Sequence, residues 1–553
     1  MPGPAGNLGQ VSPAAAFRRL GAAVCGLVLL TGCSQTVTGR GTVPDATGPA
    51  PGSASAPHAS GTAPAAPTGT PSRPGASGPE QLPITFAGCD SLFDSSAIPV
   101  PDALQGKISY GCGEIKVPLN YADPGGQQLS IELVKVHDTD NSTPLGSLLV
   151  NPGGPGGSGF ELALGLTGQL SPSLLARFDL IGFDPRGVGL SSPVRCLSDA
   201  QKDRINAASP DVLTAAGFAA AKDLAKQTAE ACSTKYGPAL AQYNTVNTAR
   251  DMDQIRKAVG DDTMNYLGFS YGTELGSIYA HLFPDRVRVA VLDGAVDPLT
   301  TGIASWTAQL AGFESAFDQF AADCLKRSPC KTLGNPRQVV YDIARTAAAH
   351  PLSTGDAGET RQVTRSLVLT GVLEALYTQS EWSTLGTALL AARTGDGSGL
   401  LKLADSYNQR YNGRYSNIME ANTAISCNDE LPGPSDAAIT TTAKAWAKRY
   451  PMFGTWSAIS LFGCQQWQPQ RTPVPLPTAA TRVKVLVIGN LHDPATPYQG
   501  AVDLAKTMGN AELLSWDGEG HTSYLQGSSC IDNYVNAYLL RQKLPPPDTT
   551  CPR

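Results

Sequence analysis

Histidine is scarce in this chain: six among 553 residues, against 58 glycines and 43 prolines. No two histidines are spaced His-x-x-x-His and no two cysteines Cys-x-x-Cys, so the usual short-range zinc frameworks are missing, and no metal or other cofactor is called for. Clusters of Lys and Arg are missing too, and the formal net charge is −6. Both argue against a nucleic acid as partner. Long apolar runs are absent near the N-terminus, where the run Leu20 to Leu30 has 11 residues. A helix that crosses a bilayer needs about 20.

What is present there is Arg18 and Arg19, then that short run, then Leu30-Thr31-Gly32-Cys33. Positive residues ahead of a short apolar stretch and a small-residue cut site make a secretory signal over residues 1–32. The four-residue end resembles the bacterial lipobox, whose cysteine is lipidated and becomes the new N-terminus; an ordinary signal peptide cleaved nearby is the competing reading. Cys33 would then carry an anchor, which holds stably with two or more acyl chains. Residues 33–84 are almost all Ala, Pro, Gly, Ser and Thr. They cannot build a core and read as a tether, so His58 is set aside as a catalytic group. The expected location is the outer face of the cell membrane by the anchor at Cys33, or the medium.

Residues 85–553 have the composition of a folded protein and exceed what one core usually holds, so two domains or a core with an insertion are expected. Two of the twelve cysteines, Cys25 and Cys33, fall in the signal region. The remaining even number, outside the cytoplasm, favours disulfides. Connectivity does not follow from sequence; pairing nearest neighbours gives Cys89–Cys112, Cys196–Cys232, Cys324–Cys330, Cys427–Cys464 and Cys530–Cys551.

Near the middle, Tyr266-Leu267-Gly268-Phe269-Ser270-Tyr271-Gly272 runs from an apolar strand through Gly-x-Ser-x-Gly into a helical pattern marked by Leu275, Ile278, Tyr279 and Leu282. This is the context of a nucleophile elbow, in which a strained turn carries the serine and flanking glycines avoid clashes. Ser270 is the candidate nucleophile; a chance match in a glycine-rich chain is the bland alternative. Upstream, strands are expected at 114–117, 129–136, 147–150 and 178–183. The third is followed by Asn151-Pro152-Gly153-Gly154-Pro155-Gly156-Gly157-Ser158-Gly159. So much glycine after a buried strand means that backbone approaches something closely. In a serine hydrolase that is the oxyanion, held by a backbone N–H of this loop and by that of the residue after the nucleophile, Tyr271. Prolines cannot donate, so Gly153 or Gly154 must. A phosphate loop is the rival, but no Gly-Lys-Ser/Thr end follows.

Pro-Gly-Gly-Pro-Gly-Gly at 152–157, Asp-Pro-Arg-Gly-x-Gly-x-Ser at 184–191 and Gly-x-Ser-Tyr-Gly-Thr at 268–273, in that order, resemble the prolyl-aminopeptidase-like branch of the α/β-hydrolases. Within it the likeness is to the secreted tripeptidyl aminopeptidases of actinobacteria and their envelope-associated relatives, and it spans the folded region. One departure is Pro152 where the family usually has His. The resemblance implies an α/β fold, with a mostly parallel central sheet formed by residues 85–297 and 478–553 and a helical cap inserted at 298–477. Arg186 is expected to brace loops or, more plainly, to form a buried ion pair.

Helical patterns without matching strands fill 298–477. Within them Asp429 and Glu430 could bind a cationic substrate N-terminus; a solvated acidic pair beside a disulfide is the alternative. The sheet resumes with Val483 to Ile488, and the turn after it holds Asp493, where this fold places the acid that orients the histidine. Asp293, Asp297 and Asp517 are rivals. The base follows by elimination. His137 precedes the glycine loop, His350 lies in the insertion, and His281 is 11 residues along the elbow helix, about 16 Å from Ser270 at 1.5 Å per residue. His492 adjoins the proposed acid, which leaves His521, in the order Ser, Asp, His. The resemblance implies a serine exopeptidase that releases short peptides, tripeptides among them, from free N-termini; a monomer is expected. A carboxylesterase or lipase with the same triad is the alternative.

Overall fold

The computed structural model describes residues 83–553 apart from 90, 91, 94, 96, 97, 301, 356 and 357. The expected signal and tether, with Cys33 and His58, lie outside the described residues. A nine-stranded sheet organises the chain. Its strands are β1 (Ile108–Pro118), β2 (Gln128–Asp138), β3 (Ser147–Asn151), β4 (Asp179–Phe183), β5 (Met264–Phe269) and β6 (Val287–Asp293). After a small hairpin, β7 (Arg410–Tyr411) and β8 (Arg414–Tyr415), the sheet continues with β9 (Val485–His492), β10 (Ala511–Glu519) and β11 (Thr550–Cys551). The spatial order is β1-β2-β4-β3-β5-β6-β9-β10-β11. β1 pairs antiparallel with β2 and β2 with β4; every later pair is parallel.

Burial explains the strand sequences. β3 and β5 are buried at every residue, as expected of parallel strands covered on both faces, and so they read as continuous apolar runs. One core lies on each face of the sheet, around Leu133, Leu149 and Tyr266 on one side and Val134, Val150 and Leu267 on the other. The expected first strand was too short: β1 begins at Ile108. Its start, Ile-Ser-Tyr-Gly-Cys-Gly, hides the pattern because the preceding segment crosses it. A Cβ on Gly111 would stand 2.9 Å from Phe86 Cβ, and one on Gly113 2.9 Å from Ile84 Cδ1.

Between β6 and β9 the longer elements among the described residues are all helices, at Gly302–Cys324, Pro336–Ala349, Arg365–Leu376, Trp382–Ala392, Ser398–Tyr407, Ile418–Asp429 and Asp436–Arg449. All but one share an apolar cluster that includes Phe313, Phe317, Phe320, Val368, Trp382 and Leu385; the helix Ile418–Asp429 instead packs Ala421, Ala424 and Ile425 into the core on the Tyr266 face of the sheet. All five disulfides join the expected partners. Among the described residues no helix is long and apolar enough to cross a membrane.

Candidate active site

β5 delivers Ser270 at φ +55°, ψ −128°, and a helix starts at once at Tyr271 and runs to Leu282. A side chain in that conformation is strained, which is what an elbow requires. The neighbouring glycines leave no room for a methyl group: a Cβ on Gly268 would lie 2.4 Å from Gly272 O, and one on Gly272 2.8 Å from Asn151 O. The Ser270 N–H donates to Asp293 O at 2.9 Å, tying the turn to the end of β6.

His521 stands in the loop after β10, 2% exposed. Its Nδ1 is 2.8 and 2.9 Å from the two oxygens of Asp493. That carboxylate also accepts from Ala495 N, Thr496 N, Thr496 Oγ1 and Thr522 N, at 2.8 to 3.1 Å. So many donors fix its orientation. An imidazole engaged at Nδ1 by a carboxylate offers Nε2 as a base. The His521 N–H donates to Tyr377 O at 2.7 Å, and the Tyr377 ring stands edge-on 5.7 Å from the imidazole. Ser270 Oγ and His521 Nε2 are both buried, and neither has a hydrogen-bond partner among the described residues.

The rival acids are occupied elsewhere. Asp293 accepts from the amides of Ser523 and Tyr524, pinning the stretch just after His521, and burial pushes its carboxyl up to about 6. Asp517 pairs with His492 at 3.0 Å, and Asp297 caps its own turn by accepting from Leu299 N. His281 lies against Thr478 O and His137 against Asp179. Arg186, fully buried, forms a two-point ion pair with Asp251 and donates to Pro118 O, Leu119 O and Gln242 O. It is the structural pair of the plainer expectation.

The glycine loop lies against the elbow. A Cβ on Gly153 would be 2.9 Å from Ser270 Cβ and 3.0 Å from Tyr271 N. The φ angles of Gly153 and Gly154, +97° and +115°, suit only glycine. The two glycines differ in one respect that sequence could not separate. The Gly153 N–H donates to Asn151 Oδ1 at 2.9 Å, so of the two it is the one engaged within the protein. Behind the loop runs the helix Ile418–Asp429: Asn422 Nδ2 donates to Pro155 O at 3.0 Å, and a Cβ on Gly156 would meet Ile418 O at 2.7 Å.

Asp429, expected as a cation site, is 1% exposed and committed to the protein. It accepts from Thr245 N and from Thr245 Oγ1, at 3.0 and 2.7 Å. Thr245 Oγ1 in turn hydrogen-bonds the Tyr271 hydroxyl. The structure therefore ties Asp429, through Thr245, to the residue after Ser270. Burial, with the Glu274 charge adding to it, pushes its carboxyl well up. Glu430 is 7% exposed with Oε1 unpartnered, and it lines a small cavity with Gly302 and Trp306. Residues that sequence reading did not single out are Thr496, whose hydroxyl touches both Asp493 and His521, and Asn151, Thr245 and Asn422 behind the loops. The one available signal was the position of Thr496, three residues past the acid.

Comparison with known proteins gives relatives along most of the chain. Over 457 residues it is 38% identical to Serine protease Hip1 of Mycobacterium tuberculosis, covering 80% of this chain and 87% of the relative. It is 36% identical over 452 residues to Carboxylesterase B of the same species, covering 80% and 86%. It is 32% identical over 456 residues to Tripeptidyl aminopeptidase of Streptomyces lividans, covering 80% and 83%. A family profile described as TAP-like protein matches residues 450–551, the stretch that carries Asp493 and His521.

Proposed function

Because the chain belongs to the TAP-like family of α/β-hydrolases, with Hip1 and the streptomycete tripeptidyl aminopeptidase among its relatives, we propose that it is a serine exopeptidase. It releases short peptides, tripeptides foremost, from free N-termini. In this reading Ser270 attacks the scissile carbonyl while His521 Nε2 takes its proton, and Asp493 holds the imidazole in the required tautomer. The N–H groups of Tyr271 and Gly154 stabilise the oxyanion. His521 then protonates the leaving amine, and water, activated by the same imidazole, hydrolyses the acyl-enzyme.

The observation that carries the reading is the buried Asp493–His521 pair beside an elbow serine, with Ser270 Oγ and His521 Nε2 both left unpartnered. Alignment of such a pair tightens once substrate is bound. Residues 298–477 act as the cap that shapes the pocket, and the enzyme works as a monomer. The carboxylesterase reading is favoured by the name of one relative. Three substrates separate the two: a tripeptide amide with a free N-terminus, the same peptide acetylated, and a short-chain ester. Selective hydrolysis of the free peptide is expected; turnover of the ester alone would sink the peptidase reading.

Five disulfides suit an exported protein. We propose further that Cys33 carries a lipid anchor at the outer face of the membrane. Cys33→Ala should then move the protein from the detergent phase to the aqueous phase; unchanged partitioning would mean an ordinary signal peptide.

A further inference from the structure

A cavity of about 200 Å³ lies apart from Ser270, Asp493 and His521, none of which lines it. Its apolar walls are Leu197, Ile205, Leu224, Met419, Trp456 and Ile459, all half-buried, so solvent reaches a space that hydrocarbon surrounds. An apolar cavity of about 150 Å³ already holds a molecule the size of benzene. The hydroxyls on these walls have partners. Thr228, Thr370 and Thr423 each donate to the carbonyl four residues earlier, and the Tyr415 hydroxyl donates to Asp203.

One charged pair stands on the wall. Glu420 accepts from the amides of Cys196 and Leu197 and pairs with Lys202, whose ammonium, 7% exposed, also donates to Ser416 O at 3.2 Å. Among the described residues these two acceptors leave one of its three N–H groups for a ligand. A further carboxylate would be buried beside a pair that is already neutral, at a high desolvation cost. The head group that fits is therefore an uncharged acceptor, and the rest of the cavity calls for an alkyl chain.

The helix Ile418–Asp429 separates this cavity from the glycine loop. At about 100° per residue, Met419, Glu420 and Thr423 on the cavity side stand opposite Ile418, Ala421 and Asn422, which meet Gly156 and Pro155. The same helix ends at Asp429, joined through Thr245 to Tyr271. One element thus touches the glycine loop with one face, holds Tyr271 by its end and lines the cavity with its back. Tyr407 gives a second path: it lines the cavity, and its ring is 6.4 Å from that of Tyr377, itself 5.7 Å from the imidazole.

We propose that the cavity binds an uncharged amphiphile, one short alkyl chain with a carbonyl or hydroxyl head on Lys202, and that its occupancy firms the helix Ile418–Asp429 and with it the oxyanion donors. The proposal rests on the reading of Ser270 and those donors above, but not on whether the substrate is a peptide or an ester.

The test uses 2-octanone, which has that chain and head and is no substrate, with octanoate as its charged counterpart, on the full protein. Calorimetry should give a Kd of about 0.1 mM for 2-octanone, an ordinary ligand efficiency for so small a molecule, and binding at least about 10-fold weaker for octanoate. Ala225→Trp fills the cavity from the helix Ala215–Tyr236 and should abolish binding. Saturating 2-octanone should speed fluorophosphonate labelling of Ser270 about fivefold in wild type, the low end of ordinary coupling between sites, and leave labelling of Ala225→Trp unchanged. No binding, binding that survives Ala225→Trp, or octanoate held as tightly as 2-octanone would overturn the proposal. So would binding without a change in labelling, or labelling blocked in competition with 2-octanone, which would make the cavity part of the substrate site. If Ala225→Trp does not fold, Thr228→Phe on the same helix replaces it. A wild-type protein whose Ser270 is not labelled even without 2-octanone would instead overturn the reading of the nucleophile.

Discussion

Asp493, just after β9, and Glu374 in the helical insertion are both buried carboxylates, and they are treated in opposite ways. Asp493 accepts from His521, Thr522, Ala495 and Thr496. Glu374 keeps one oxygen with no donor at all. A carboxylate saturated by its own protein is organised before any substrate arrives, which is where catalysis gains from rigidity. One left short of donors is not, and the sheet part and the insertion are divided in that respect.

Four experiments press on that division. The largest effect is expected for Ser270→Ala, which should remove essentially all turnover of every substrate, about 10⁶-fold as in other serine hydrolases, together with fluorophosphonate labelling. Retained labelling would show a different nucleophile. Next, Asp493→Asn should cost about 10⁴-fold on free peptide, acetylated peptide and ester alike, because the amide favours the wrong imidazole tautomer. A loss confined to free-amine peptides would show that Asp493 does not orient the base.

Asp429→Ala is the intermediate case. It cuts the link through Thr245 to Tyr271 and should lower kcat about 10-fold on all three substrates with KM little changed, equivalent to about 1.4 kcal/mol of lost organisation around the oxyanion. Selectivity for the free amine in this variant would restore it as a cation site. The smallest effect concerns stability. Glu374 titrates at about 8 in the folded protein, above the ordinary ~4.3 of an unfolded chain. Between those values the unfolded chain gives up the proton that the folded one retains, so the contribution favours folding at low pH and is lost as pH rises towards 8. Glu374→Gln should therefore raise Tm at pH 8 and leave it almost unchanged near pH 4. A Tm gain equal at both pH values would contradict the shifted carboxyl.

What sequence made legible follows from how local each signal is. Ser270 announces itself because a strand, a strained turn and a helix are contiguous, and the glycines that flank it are demanded by backbone contacts. His521 emerges because the chain has so few histidines. The helix Ile418–Asp429 was not legible: Asn, Thr, Ser and Cys fill it, poor helix formers that are held by nearly complete burial. Nor could sequence separate Gly153 from Gly154, because the choice depends on Asn151 folding back on Gly153. Asp429 and Glu430 drew attention as adjacent acids, while Glu374, isolated among Leu, Val and Ala, did not. Its interest lies in a missing partner, and only three dimensions show that.

The five bridges also bear on how the protein matures. Each cysteine is joined to the next in sequence, across separations of 6 to 37 residues. A chain that leaves the cell N-terminus first presents Cys89 and then Cys112, Cys196 and then Cys232, and so on to Cys551. Every thiol therefore meets its correct mate as the next one to emerge. An oxidant that joins cysteines in order of arrival suffices, and no reshuffling enzyme has to correct it. Both bridges within the helical insertion, Cys324–Cys330 and Cys427–Cys464, stay inside it. The insertion is thus closed on itself without being stapled to the part that carries Ser270, Asp493 and His521.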